Sequence, residues 1–185
     1  MSDPVSALAG KVSEGPVRIE DLAPRAMITV RGKLSDTAIT EALASVSGLA
    51  MPGQRGIAAE GEKRLAWMGP DEALLILPRA GLDAALSGLT EKLGSAHALV
   101  ADMSDARALF RLTGEDAALR DTIAKVAPVD MMRFPTGEIR RTRLAQIAGA
   151  FWMPQEGTVE LVCFRSVAQY AFDLLSQAAV GPRVF

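Results

Sequence analysis

One cysteine and one histidine in 185 residues leave little from which to build a metal centre or a disulfide framework. The lone cysteine fits a reducing cytoplasm, and His97 and Cys163, far apart in sequence, give no zinc spacing. No apolar run reaches transmembrane length, and residues 1–23 lack the basic and apolar regions of a secretory signal. A cytoplasmic protein without a membrane anchor is therefore expected. The net charge is −2, with no basic stripe, which argues against nucleic acid as a partner. The Gly-containing stretch Gly48-Leu49-Ala50-Met51-Pro52-Gly53-Gln54-Arg55-Gly56 lacks the Gly-Lys-Ser/Thr ending and the preceding strand of a phosphate loop. What the chain does have is apolar substance, 49% of its residues, with a mean hydropathy of +0.19. That suffices for one sizeable core and leaves apolar surface for a partner.

The chain also repeats itself. Arg25-Ala26-Met27-Ile28-Thr29-Val30-Arg31-Gly32 returns 82 residues later as Arg107-Ala108-Leu109-Phe110-Arg111-Leu112-Thr113-Gly114, and an aspartate, Asp21 or Asp102, precedes each copy. So wide a spacing excludes short solenoid repeats and points to a duplicated supersecondary unit. After each strand comes a helical spacing, Ile39, Leu43 and Val46 in one copy and Leu119, Ile123 and Val126 in the other. Ser35 and Thr113 are the expected N-caps. The two tryptophans follow, in Leu65-Ala66-Trp67-Met68-Gly69-Pro70 and Ala150-Phe151-Trp152-Met153-Pro154, and are expected at equivalent places. Ala73–Leu77 and Val159–Phe164 read as returning strands. Each copy closes on a helix, striped by Leu82, Ala85, Leu86, Leu89 and Leu93 or by Val167, Tyr170, Ala171, Leu174, Leu175 and Ala178.

These patterns predict an α+β fold of duplicated β-α-β-β-α units, with antiparallel sheet bearing helices on one face and a linking strand near Ala98–Met103. Residues 1–185 are expected to form a single pseudo-symmetric domain, half one at about 17–94 and half two at about 97–181, with the seam near Gly94–Ala96.

Chemistry-bearing residues are sparse. Cys163 lies in a continuous apolar strand, where burial raises a thiol's pKa and restricts access, so it reads as core rather than nucleophile. His97 precedes a strand and reads as a strand-start hydrogen-bonding group rather than a base. Asp71 and Glu72 occupy a turn after Trp67, while Asp102 and Asp105 flank the repeated strand. Paired carboxylates can divide acid and base roles, yet turn chemistry accounts for these acids, and the recurrence of Asp21 and Asp102 in the two copies favours a service to the fold.

The strongest positive spot is Arg140, Arg141 and Arg143, near Arg133 and Glu138. Strand alternation sends Arg141 and Arg143 to one face and Arg140 to the other. A solvated face is one account; a carboxylate or subunit contact, which suits planar guanidinium groups, is the other. Beside them, Met131-Met132-Arg133-Phe134-Pro135 places apolar side chains on an irregular segment. It either folds back onto its own core or docks a partner. Met131, Met132, Arg133, Phe134, Arg140, Arg141 and Arg143 are thus the candidate partner-binding residues.

Asp102-Met103-Ser104 followed by Ala108-Leu109-Phe110-Arg111-Leu112-Thr113-Gly114-Glu115-Asp116-Ala117 resembles the Asp-x-Ser, apolar strand, Gly-x-Asp-Ala pattern of the glycine-cleavage aminomethyltransferase superfamily. With Trp67-Met68-Gly69-Pro70-Asp71-Glu72-Ala73-Leu74-Leu75-Ile76 and Phe164-Arg165-Ser166-Val167-Ala168-Gln169-Tyr170, the set more closely resembles the gamma subunits of heterotetrameric sarcosine oxidases, from about Val17 to Ala179.

That resemblance implies an aminomethyltransferase-like, folate-binding-domain-like fold and an accessory subunit in a complex with alpha, beta and delta subunits. Such complexes oxidise sarcosine to glycine with oxygen, giving hydrogen peroxide and a one-carbon unit for tetrahydrofolate. It further implies that FAD, FMN, NAD, zinc and tetrahydrofolate are held by the other subunits and none by this chain. Folate-dependent aminomethyltransferases are about twice as long and carry a further C-terminal domain. No catalytic residue is carried over. The rival reading is a stand-alone folate-binding or one-carbon-transfer protein, with Asp71 and the arginines holding the pterin and glutamyl ends; a scaffold for some other partner is a third.

Overall fold

The computed structural model describes residues 4–182. Before the first repeat lie two short strands, β1 (Val12–Ser13) and β2 (Val17–Asp21). The first repeat runs β3 (Arg25–Arg31), α1 (Thr37–Ser47), β4 (Ile57–Glu60), β5 (Lys63–Gly69), β6 (Glu72–Pro78) and α2 (Leu82–Leu93). A linking strand, β7 (Leu99–Asp102), leads into β8 (Arg107–Gly114), α3 (Asp116–Val126), β9 (Ile139–Leu144), β10 (Ile147–Gln155), β11 (Thr158–Phe164) and α4 (Ala168–Val180). The element order is the same in both copies, as expected. Each copy holds one strand more than the sequence pattern announces, β4 or β9, so the repeat is β-α-β-β-β-α. Ile57-Ala58-Ala59-Glu60 is too short and too weakly apolar to signal a strand.

The chain divides into two compact units, residues up to Pro24 with those from Asp105 onward, and Arg25–Ser104. This boundary differs from the seam expected near Gly94–Ala96, because the strand ahead of each repeat pairs within the other repeat's sheet. In the first unit the antiparallel order is β1-β2-β8-β11-β10-β9; in the second it is β4-β5-β6-β3-β7. The repeated glycines explain how these added strands fit. A Cβ on Gly114 would stand 2.8 Å from the Pro16 carbonyl oxygen, and one on Gly32 would stand 2.5 Å from Ile39 Cδ1 and 3.1 Å from the His97 carbonyl oxygen. Only glycine admits so close an approach.

One face of each sheet carries two helices. In the first unit Ile19, Phe110, Leu112, Phe151 and Leu161 pack with Leu119 and Ile123 of α3 and with Phe172 and Leu175 of α4. In the second, Ile28, Val30, Leu65 and Leu75 pack with Ile39 and Leu43 of α1 and with Leu89 and Leu93 of α2. The stripe read on α4 needs one exchange, since Tyr170 is exposed and Phe172 buried. The N-caps also shift. Asp36, not Ser35, accepts from the Ala38 amide at 3.0 Å. Thr113 belongs to β8, and the residue at the start of α3 is Glu115, whose side chain makes no capping bond.

The two tryptophans are not equivalent. Ile28 pairs with Leu75 and Leu75 with Leu65, just as Phe110 pairs with Leu161 and Leu161 with Phe151. Leu65 therefore corresponds to Phe151, Ala66 to Trp152 and Trp67 to Met153. One residue along a strand reverses the face, so Trp67 lies on the helix-bearing face, half-buried, while Trp152 lies on the opposite face with 1% exposure.

Candidate interaction surface

Arg120 of α3 organises the irregular segment after that helix. Its guanidinium pairs with Asp116 at 2.6 Å, one turn earlier, and donates to the carbonyls of Met131 and, at 2.9 Å, Phe134. Five N–H donors in a planar fork let one side chain hold a carboxylate and two carbonyls together. Captured in this way, the 3-10 turn Met131–Arg133 buries Met131, and Phe134 packs its ring 5.1 Å from that of Phe151. Met131 and Phe134 are therefore core side chains and leave the candidate surface. Met132 stays 68% exposed, and the side chain of Arg133 89% exposed, at 3.7 Å from Asp130.

β9 follows as the last strand of its sheet, hydrogen-bonded to β10 alone among the described strands. Arg140 pairs with Phe151, on the helix-bearing face, where it contacts Glu138 and lies over the Phe134 ring at 5.8 Å. Arg141 and Arg143, opposite Ala150 and Ala148, occupy the other face and are exposed. The expected alternation thus holds. Arg140 joins Phe134 and Phe151, and Arg141 and Arg143 are turned the other way.

The remaining candidates serve the fold. Asp21 is buried and accepts from the amides of Leu8 at 2.7 Å and Gly10 at 3.2 Å. Asp102 accepts from the Ser104 amide at 2.9 Å and from its hydroxyl, which in turn accepts from the Met27 amide at 3.0 Å. Glu72 opens β6 and pairs, buried, with Arg31 at 2.9 Å, while Asp71 stays exposed in the turn. Burial pushes the Cys163 thiol up to about 12, against the smaller opposing pull of Arg107, so it is held as a neutral core group. His97 is exposed, on the rim of an open depression of about 560 Å³ shared with Arg31, Lys33, Pro70 and Asp71. Among the described residues, no group of three or more His, Cys, Asp or Glu side chains converges as a metal site.

Two ion pairs escaped the sequence reading. Arg111 of β8 meets Glu160 of β11 at 2.6 Å, and Lys125 of α3 meets the buried Asp121 at 2.7 Å. Lys125 also donates to the carbonyls of Ala178, at 2.9 Å, and Gly181, at 3.1 Å, where α4 ends. The signal was a charge of each sign inside two apolar strands, Arg111 within Leu109–Leu112 and Glu160 within Val159–Val162.

The fold and sequence have recognisable counterparts. A chain of the heterotetrameric sarcosine oxidase from Corynebacterium sp. U-96, solved in complex with pyrrole 2-carboxylate, superposes with a TM-score of 0.80 at 26% identity, over 94% of this chain and 91% of that one. The glycine cleavage system aminomethyltransferase T from Bartonella henselae shares the fold at a TM-score of 0.56 and 14% identity, over 90% of this chain but 53% of that one. No curated protein sequence matches the chain. The profile of the sarcosine oxidase gamma subunit family matches residues 31–181, which is most of the length, and the chain belongs to that family.

Proposed function

We propose that this chain is a non-catalytic accessory subunit of a heterotetrameric sarcosine oxidase, assembled with alpha, beta and delta subunits. The observation that carries this reading is a whole-chain correspondence. The chain matches 91% of its counterpart in the Corynebacterium enzyme, so its fold corresponds to most of one chain of that complex. In the assembly, sarcosine is oxidised to glycine with oxygen, yielding hydrogen peroxide and a one-carbon unit for tetrahydrofolate. FAD, FMN, NAD, zinc and tetrahydrofolate are assigned to the other subunits, and the complex to the cytoplasm. The accessory role agrees with how this chain spends its reactive groups. Cys163 is neutral in the core, Asp21 and Asp102 hold backbone amides, and Glu72 and Glu160 are buried in ion pairs.

Co-expression with the alpha, beta and delta chains, and purification through a tag on this chain, tests the proposal. A stoichiometric complex that contains flavin and makes peroxide from sarcosine is the expected result. Recovery of the chain alone, or with bound folate, overturns it in favour of the stand-alone one-carbon reading.

A further inference from the structure

We propose that the open depression where β3 ends and β6 and β7 begin binds a small zwitterion, an α-amino acid with an aliphatic side chain. Its carboxylate meets Arg31 and Lys33, and its ammonium meets Asp71. The inference goes beyond the accessory-subunit reading and stands whether or not that reading holds.

The depression lies wholly within the unit Arg25–Ser104 and is formed by three segments that lock together. The Gly32 amide donates to the Asp71 carbonyl at 3.0 Å and the Leu34 amide to the Pro70 carbonyl at 3.4 Å, which ties the chain leaving β3 to the turn between β5 and β6. The His97–Ala98 segment closes against Gly32, where an added Cβ would stand 3.1 Å from the His97 carbonyl oxygen and 3.4 Å from the Ala98 Cβ. The floor is therefore formed before a ligand arrives, and the volume of about 560 Å³ is that of a small-molecule site.

The charges around it are of both signs. Arg31 pairs with Glu72 on one side and Leu99 on the other, so the three stand in a row across the sheet. Glu72, its side chain 4% exposed, holds the Arg31 guanidinium at 2.9 Å, while 51% of the arginine side chain remains in solvent. A buried carboxylate thus fixes one edge of the fork and leaves other donors for an incoming carboxylate. Lys33 and Asp71 are exposed, and neither side chain has an ion pair or hydrogen bond among the described residues, with each other included. An anion alone would meet Asp71, and an amine alone would meet Arg31 and Lys33; a zwitterion satisfies both. Between the charges the wall is apolar, from Pro70, Ala98 and Leu99, which suits an aliphatic side chain.

The test is a titration of the isotope-labelled full chain with L-leucine, followed through its amide chemical shifts. Isocaproate, which lacks the ammonium, and isoamylamine, which lacks the carboxylate, are titrated beside it. Saturable shifts confined to the amides of 31–33, 71 and 97–99 are expected at about millimolar leucine, with each single-charge analogue at least about threefold weaker. Lys33→Gln should weaken leucine to a similar extent, and Asp71→Asn should abolish the preference for leucine over isocaproate, both at an unchanged melting temperature. No saturable shift at these amides up to about 50 mM leucine, or shifts centred elsewhere, overturns the proposal. Isocaproate or inorganic phosphate binding as tightly as leucine refutes the zwitterion and leaves a plain anion site. None of these results bears on assembly, which co-expression tests separately.

Discussion

Arg111 and Glu160 face each other directly across β8 and β11, 2.6 Å apart, with 38% of the arginine side chain exposed and 6% of the glutamate. The carboxylate has thus left water while the guanidinium keeps one side in it. Removing the arginine takes one partner from a buried carboxylate, and Arg111→Met should cost about 1–3 kcal/mol. The double variant Arg111→Met/Glu160→Leu removes both charges of this pair and should regain part of that loss. Urea unfolding of the three proteins checks this; a double variant as unstable as the single one would show that packing, and not the pair, sets the cost.

Phe134 and Met132 separate under the same treatment. Phe134 is 3% exposed and Met132 68%. Phe134→Ala should therefore destabilise the isolated chain by roughly 3–5 kcal/mol, and Met132→Ala should stay within about 0.5 kcal/mol of the wild type. Arg120→Met should behave like a partial Phe134 truncation, because it releases two carbonyls and a carboxylate together, with faster exchange confined to residues near 131–134. Equal losses for Met132→Ala and Phe134→Ala would contradict the division of this segment into core and surface.

The tryptophans give an optical test of the strand register. Trp152 lies on the side of its sheet away from the helices and is 1% exposed, whereas Trp67 is half-buried beside an open depression with Met51 and Pro52. In Trp67→Phe, the remaining indole should emit to the blue and resist acrylamide. In Trp152→Phe, it should be quenched several-fold more readily. Similar quenching in both variants would place the tryptophans in like environments, against the one-residue offset.

That offset marks where the sequence stops being sufficient. The duplication was legible because local signals recur in each copy: an apolar strand, a glycine at its end and a helical stripe, from Arg25–Gly32 and Ile39 to Arg107–Gly114 and Leu119. Pairing was not legible, since β2 and β7 join the sheets of β8 and β3 across roughly 70 or more residues of chain and carry nothing local that says so. Matching Trp67 to Trp152 by their neighbours gave a plausible alignment in the wrong phase, because register is fixed by the partner strand. The burial of Met131 and Phe134 likewise depends on Arg120 capturing their carbonyls, a contact that no periodicity announces. The face reversal of Arg140 against Arg141 and Arg143 was readable, since alternation is intrinsic to a strand.

Cys163 supplies the pH dependence. Burial raises its thiol from an ordinary value of 9.0 to about 12, so the folded chain keeps this proton over a range in which the unfolded chain gives it up. The sign follows from linkage: where the native state binds more protons than the unfolded state, stability falls as pH rises. The contribution is complete below pH 9 and is lost between there and about pH 12, at up to about 1.4 kcal/mol for each pH unit. The comparison is with Cys163→Ala, which removes the thiol and leaves every other group in place. The wild type should lead that variant by a constant margin up to about pH 9, and the margin should shrink above it. At pH 8 the native thiol should also resist a charged aromatic disulfide that labels the unfolded chain within minutes. Rapid labelling of the native protein at pH 8, or a margin that grows with alkalinity, would show that Cys163 is reached by water and held as thiolate.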